Sequence, residues 1–187
     1  MMKDSINSKT PLIVIDVQKG FDDPCWGERN NPQAEENISK LISSWRLNHR
    51  PVIHVHHSSL EKNSPLREDH PGFEVKESAK PIDCEKVFKK NVNSAFIGTE
   101  LEDHLKQNDY ETLVIVGLTT DHCVSTSVRM AGNLGFNVYL VSDATATFSK
   151  TGPDGTLYDA EQIHSIHLAS LNDEFCTVCD TNSILSF

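Results

Sequence analysis

The sequence predicts an α/β protein: a three-layer α/β/α sandwich around a six-stranded, mainly parallel sheet, with a Rossmann-like topology. Three observations lead there. Short, near-continuous apolar runs recur along the chain, as strands buried on both faces of a parallel sheet require. Amphipathic helical stretches alternate with them. The length of 187 residues, with 37% hydrophobic and 24% charged residues, suits one ordered domain spanning 1–187.

Pro11–Val17 reads P-L-I-V-I-D-V and supplies the first strand. Ala34–Leu47 places Ile38, Leu41, Ile42 and Trp45 on one helical face. Pro51–His57 is the second strand, and its alternation puts His54 and His56 on the same side. Residues 58–85 hold Pro65, Pro71, Gly72 and Pro81 and form a long connection, of the kind used as a lid, a binding loop, an interface or a plain surface excursion. Lys86–Phe88 follows as the third strand. Thr99–Gln107 reads as a helix opened by a Thr99/Glu102 capping box. Thr112–Gly117 is the fourth strand. A helix from about Asp121 to Leu134 sets Val124, Val128 and Ala131 on one stripe, with Gly135 as its stop. Phe136–Ser142 is the fifth strand, Ala160–Leu171 a helix carrying Ile163 and Ile166, and Phe175–Val178 the sixth strand. Right-handed crossovers between parallel strands put helices on both faces.

Composition excludes several function classes. Net charge is −10, so phosphate backbones are repelled and nucleic acid is not an expected partner. The longest apolar runs, Leu12–Ile15 and Leu113–Val116, fall far short of the ~20 residues that cross a bilayer, so no membrane association is expected. The opening M-M-K-D-S-I-N-S-K-T lacks the apolar core of a leader, which points to the cytoplasm. Five cysteines, an odd number without framework spacing, fit reduced thiols there. Cys176 and Cys179 form a C-x-x-C with no second pair at zinc spacing, and core packing accounts for them. No G-x-G-x-x-G follows the first strand, so no dinucleotide cofactor is expected.

Ligands of open parallel sheets bind beyond the carboxyl ends of the strands. Asp16 closes the first strand, Lys90 follows the third, and Cys123 follows the fourth at the start of a helix. A thiol in a first helical turn lies among unpaired N–H groups that favour a thiolate and could hold an oxyanion, although a small buried thiol packing like alanine fits the position equally. Asp16 is either a base beside that thiol or a turn aspartate. Lys90 is either the cation that orients Asp16 or a solvated lysine beside Lys89.

The motifs L-I-V-I-D-V-Q-K-G-F (Leu12–Phe21), K-N-V-N-S-A-F-I-G-T-E-L (Lys90–Leu101) and G-L-T-T-D-H-C-V (Gly117–Val124) together resemble the isochorismatase-like cysteine hydrolase superfamily, which includes nicotinamidases and N-carbamoylsarcosine amidases. V-R-M-A-G-N-L-G-F (Val128–Phe136) and S-D-A-T-A-T-F (Ser142–Phe148) extend the resemblance over most of the chain. It implies an Asp–Lys–Cys triad of Asp16, Lys90 and Cys123. It further implies a cis Leu118–Thr119 peptide, with the backbone N–H groups of Thr119 and Cys123 as oxyanion hole. The implied chemistry is hydrolysis of an amide-type C–N bond of a small molecule through a thioester. Phe21, Trp26, His57, Asn93, Phe96 and Phe148 flank the catalytic segments as candidate substrate-binding residues.

Departures from the family matter. The Asp-x-His metal pair and the D-W-H-P signature of nicotinamidases are missing from H-V-H-H-S-S (His54–Ser59). A metal at His56, His57 and His70 is the unfavoured alternative, and no metal or other cofactor is expected. Isochorismatases proper cleave a vinyl ether and lack the cysteine found here at 123. Such a hydrolase, or a catalytically silent α/β binding module, remains the alternative reading. The stretch Asn63–Glu74 is similar to generic amidases, including the streptothricin-hydrolase-like group. The resemblance also implies that the chain forms a homodimer or homotetramer, as family members commonly do.

Overall fold

The computed structural model describes residues 6–187. The reading of a missing leader rests partly on residues 1–5, which lie outside the described residues. In chain order the elements are β1 (Leu12–Ile15), α1 (Ala34–Leu47), β2 (Val52–His57), β3 (Lys86–Lys90), α2 (Leu101–Gln107), β4 (Thr112–Leu118), α3 (Ser125–Asn133), β5 (Asn137–Ala146), β6 (Lys150–Thr151), β7 (Leu157–Tyr158), α4 (Ala160–Leu171), β8 (Thr177–Cys179) and α5 (Thr181–Leu185). Six strands form one sheet in the order β3-β2-β1-β4-β5-β8. Every pairing in it is parallel. β6 and β7 make a separate antiparallel hairpin, whose two-residue strands are too short to leave a periodic signal.

Alternation along β1 divides the core. Leu12 and Val14 face Ile38, Leu41, Ile42 and Trp45 of α1, joined by Ile184 of α5. Ile13 and Ile15 face the other way, against Leu101 and Leu105 of α2 and Val128 and Ala131 of α3. Each central strand thus buries both faces, which is why its sequence is apolar without interruption. The β1–β4 junction depends on Gly117: it lies at φ 126°, and a Cβ there would stand 2.0 Å from the Ile15 carbonyl oxygen.

Three local expectations are corrected. Thr99 and Glu102 form no capping box, because α2 begins at Leu101 and its N-cap is Glu100. Thr99 Oγ1 instead donates to the Ala95 carbonyl (2.6 Å) and accepts from Leu101 N–H. The reciprocal box is found at α4, between Asp159 and Gln162. α4 also buries a different face from the one its isoleucines suggest: Ala160, His164 and Leu171 point inward, while Ile166 is exposed. The helix after β4 opens with a π-helical turn, Thr120–Val124, before α3 begins at Ser125. Among the described residues, no helix is long and apolar enough to cross a membrane.

Candidate active site

Four neighbouring strands, β3, β2, β1 and β4, deliver their carboxyl ends to one rim of the sheet, and the polar groups collect there. Asp16 follows β1 in the left-handed region (φ 52°), one of few residue types that tolerate it, and the turn directs its carboxylate into the interior. Gln18 secures that turn against β2. Its Oε1 accepts from His57 N–H at 2.8 Å, and its Nε2 donates to the carbonyls of His57 (3.1 Å) and Phe73 (3.0 Å). Lys90 is the last residue of β3 and therefore points inward at the rim.

Lys90 Nζ stands at the centre of the site. It donates to Asp16 Oδ2 at 2.6 Å and to Cys123 Sγ at 3.2 Å, and His57 Nδ1 lies 3.0 Å away. An ammonium has three protons, and three acceptors surround this one. The assignment requires His57 to be neutral with a bare Nδ1. Burial and the Lys90 charge both enforce this, holding the His57 pKa down to about 4. The other Asp16 oxygen, Oδ1, is buried without a hydrogen-bond partner beside the thiol.

The π-helical turn presents Cys123. Its geometry is fixed from behind, where Ser127 Oγ donates to the Cys123 carbonyl (2.6 Å) and accepts from Ala95 N–H (3.0 Å). His164 Nδ1 lies 2.9 Å from Thr120 Oγ1, and Thr147 and Lys150 both bond Asp121. The Leu118–Thr119 peptide is cis, and the Thr119 N–H, on the cavity wall, has no acceptor among the described residues.

Burial corrects the expected thiolate. It raises the Cys123 pKa well above the usual thiol value, and the Asp16 charge raises it further; Lys90 offsets only part of this. The N–H groups of the first helical turn favour the anion but do not outweigh this desolvation. Burial likewise raises Asp16 above the ordinary carboxylate range, against the pull of Lys90. The free site therefore holds a protonated thiol beside the Asp16–Lys90 pair.

A cavity of about 280 Å³ opens onto Cys123, lined by Phe21, Trp26, Leu66, His57, Asn93 and Thr119, with Ser59, Glu61, Ser64 and His122 toward its mouth. Asn93 Oδ1 is 3.7 Å from Sγ. Two sequence candidates stand elsewhere. Phe148 packs behind Phe21 and Trp26, and Phe96 stacks on Phe136. Proximity in sequence to the motifs does not fix side-chain direction. Ser59, Glu61, Ser64 and Leu66 line the cavity without a sequence signal, because the 58–85 connection has no periodicity to read, and His122 joins them from within G-L-T-T-D-H-C-V. A larger cleft, about 650 Å³, lies at the opposite end of the sheet around Arg46, Pro51 and Lys86, far from these groups.

The histidines do not assemble a metal centre. His56 and His57 are adjacent on β2 and face opposite sides, His56 lying near His54, while His70 Nδ1 accepts from Gly72 N–H. Among the described residues, the one cluster with metal-ligand spacing is Asp16, His57 and Cys123. Lys90 bonds all three, so a divalent cation there would sit against an ammonium. These residues do not fit a metal.

Residues 10–183 match the isochorismatase domain family. The chain belongs to the isochorismatase family. Among relatives of this family, YrdC of Bacillus subtilis is 51% identical over 181 residues, covering 97% of each chain. A crystal structure described as an isochorismatase-family hydrolase, from Chromobacterium violaceum, superposes with TM-score 0.93 at 44% identity, covering 96% of this chain and 93% of that one. An isochorismatase structure from Pseudomonas putida gives 0.86 at 31% identity, with 96% and 93% coverage. The six-stranded sheet with its two helical layers is the isochorismatase-family fold.

Proposed function

We propose that this isochorismatase-family hydrolase is a cysteine hydrolase that cleaves an amide-type C–N bond of a small molecule through a thioester. One observation carries the reading: a single buried ammonium, Lys90 Nζ, bonds both a carboxylate and a thiol at the floor of an open cavity. In the mechanism, Asp16 takes the proton from Cys123 as the sulfur attacks the substrate carbonyl. The C–S bond forms, and the carbonyl oxygen becomes an oxyanion accepted by the backbone N–H groups of Thr119 and Cys123. The C–N bond then breaks, and the leaving nitrogen takes the proton from Asp16. Water next gives a proton to Asp16 while attacking the thioester, and the acid departs as the sulfur regains its proton.

The high thiol pKa supports proton transfer coupled to attack rather than a standing thiolate. The proton passes from thiol to carboxylate within the site, and Lys90, bonded to both, compensates the single negative charge on whichever group carries it. The cavity volume supports a small substrate, and no step passes through a metal.

A screen of small primary and secondary amides, with rapid quench and intact-mass measurement, tests the proposal. The expected result is an acyl adduct on Cys123 and a loss of about 10⁴-fold or more in turnover for Cys123→Ala with its fold retained. Undiminished turnover by that variant overturns the mechanism.

A further inference from the structure

The charge at the cavity mouth is unbalanced. Asp16 and Lys90 cancel one another, and Cys123 and His57 are held neutral by their surroundings. His122 leans on Asp121 at 3.5 Å, so any positive charge it carries is opposed. What remains is Glu61. Glu61 lines the cavity as an exposed residue, and among the described residues its carboxylate has neither an ion pair nor a hydrogen bond, whereas Glu68, Glu74 and Glu85 of the same connection are each paired. Lys62 follows it in the chain but does not line the cavity.

Phe21 and Trp26 line the same cavity, their rings 5.2 Å apart. The Trp26 indole N–H is already given to the Gly20 carbonyl at 2.8 Å, so toward the cavity Trp26 offers ring carbon and π density instead of a donor. A carboxylate together with electron-rich rings is the environment that attracts an alkylammonium and repels an anion.

We propose that Glu61 is a specificity-determining residue and that the substrate carries a cationic group, an ammonium or a substituted amine, which lies between Glu61 and the aromatic wall while its carbonyl reaches Cys123. The substrate part of this inference rests on the hydrolase reading above. Charge selection at the mouth does not, because it can be read directly on the thiol.

The test uses the full chain with the two exposed thiols removed (Cys25→Ser, Cys84→Ser). The modification rate of Cys123 is measured with three methanethiosulfonates of similar size, bearing a trimethylammonium, a sulfonate or no charge. Each rate is normalised to the same reagent on mercaptoethanol. The expected result is a normalised preference for the cationic reagent that falls about threefold to tenfold in Glu61→Gln, reverses in Glu61→Lys, and shrinks in 0.5 M salt. Glu111→Gln removes one charge at the opposite end of the sheet and leaves the preference intact. A preference unchanged by Glu61→Gln, or changed equally by Glu111→Gln, overturns the proposal. If the preference responds but no thioester is trapped, charge selection stands and the hydrolase reading falls. A trapped thioester with an unresponsive preference has the opposite meaning.

Discussion

Lys90 meets the Asp16 carboxylate at 2.6 Å with both side chains fully buried. A dry pair of this kind is balanced internally and becomes costly once either partner is lost. Lys90→Met should lower unfolding free energy by about 3 kcal/mol, measured by urea titration at pH 7. Asp16→Asn leaves a buried cation and should cost a similar amount. A loss within experimental error in both would mean that the pair is not buried as described.

Asp16→Asn has a second, less obvious effect. The Asp16 charge is one of the influences that raise the Cys123 pKa, whereas Lys90 lowers it. Removing the carboxylate should abolish hydrolysis yet bring thiolate formation at Cys123, followed by its ultraviolet absorbance in an alkaline titration, to lower pH. Thiolate formation at higher pH than in the unmodified protein would contradict this charge arrangement.

His57 is expected to act as the third acceptor for Lys90. Asn at this position can place an oxygen near the site of Nδ1, and Leu cannot. His57→Asn should therefore keep most of kcat, while His57→Leu loses about tenfold or more and shifts the acid limb of the kcat/KM profile. The limb in the unmodified enzyme should lie above the ordinary aspartate range, because Asp16 is raised. Equal kcat values in the two variants would assign His57 to the cavity wall alone.

Stability at low pH should follow Glu35. Burial alone would raise its pKa, but hydrogen bonds and charge from Arg29 and Lys76 hold it at about 2, against 4.5 unperturbed. A depressed carboxyl stabilises the fold above its unfolded pKa and ceases to do so as pH falls through the folded value. Glu35→Gln should thus be destabilised by up to about 3 kcal/mol at pH 7, and its deficit relative to the unmodified protein should fade between pH 4.5 and 2. A deficit constant with pH would mean that packing, not charge, is what Glu35 contributes.

Gly117→Ala should be poorly tolerated. The added carbon would meet the Ile15 carbonyl oxygen at 2.0 Å in a backbone conformation already unsuited to it. A loss above about 3 kcal/mol by thermal or urea unfolding is expected. Near-neutral stability would show that β1 and β4 can separate at the rim.

The placement of Asp16 and Cys123 is legible in the sequence because each follows a short apolar run, and strand ends in a parallel sheet gather at one edge; Lys90, in K-V-F-K-K, is told from Lys89 only by its place in the resembled motif. The bounds of α1 are equally legible, since Ile38, Leu41, Ile42 and Trp45 leave one possible inward face. Where several faces compete, as in α4, the isoleucines mislead: helix position against α3 and the π-helical turn, rather than hydropathy, sends His164 inward to meet Thr120. The protonation state of Cys123 is not legible, because helix position is written in the sequence and depth of burial is not. Glu61 and Leu66 escaped notice for a related reason, since irregular backbone aims side chains by tertiary contacts alone.

The Gln18 side chain ties the rim to the Phe73 carbonyl, Val75 bridges to Gln18, and Lys76 N–H reaches the Val17 carbonyl. The later part of the long connection is thereby riveted to the very turn that carries Asp16. Residues 59–64 make no hydrogen bond to that turn among the described residues, yet Ser59, Glu61 and Ser64 shape the entrance. Selectivity can accordingly drift through that short cassette, one exchange at a time, without disturbing the machinery that breaks bonds.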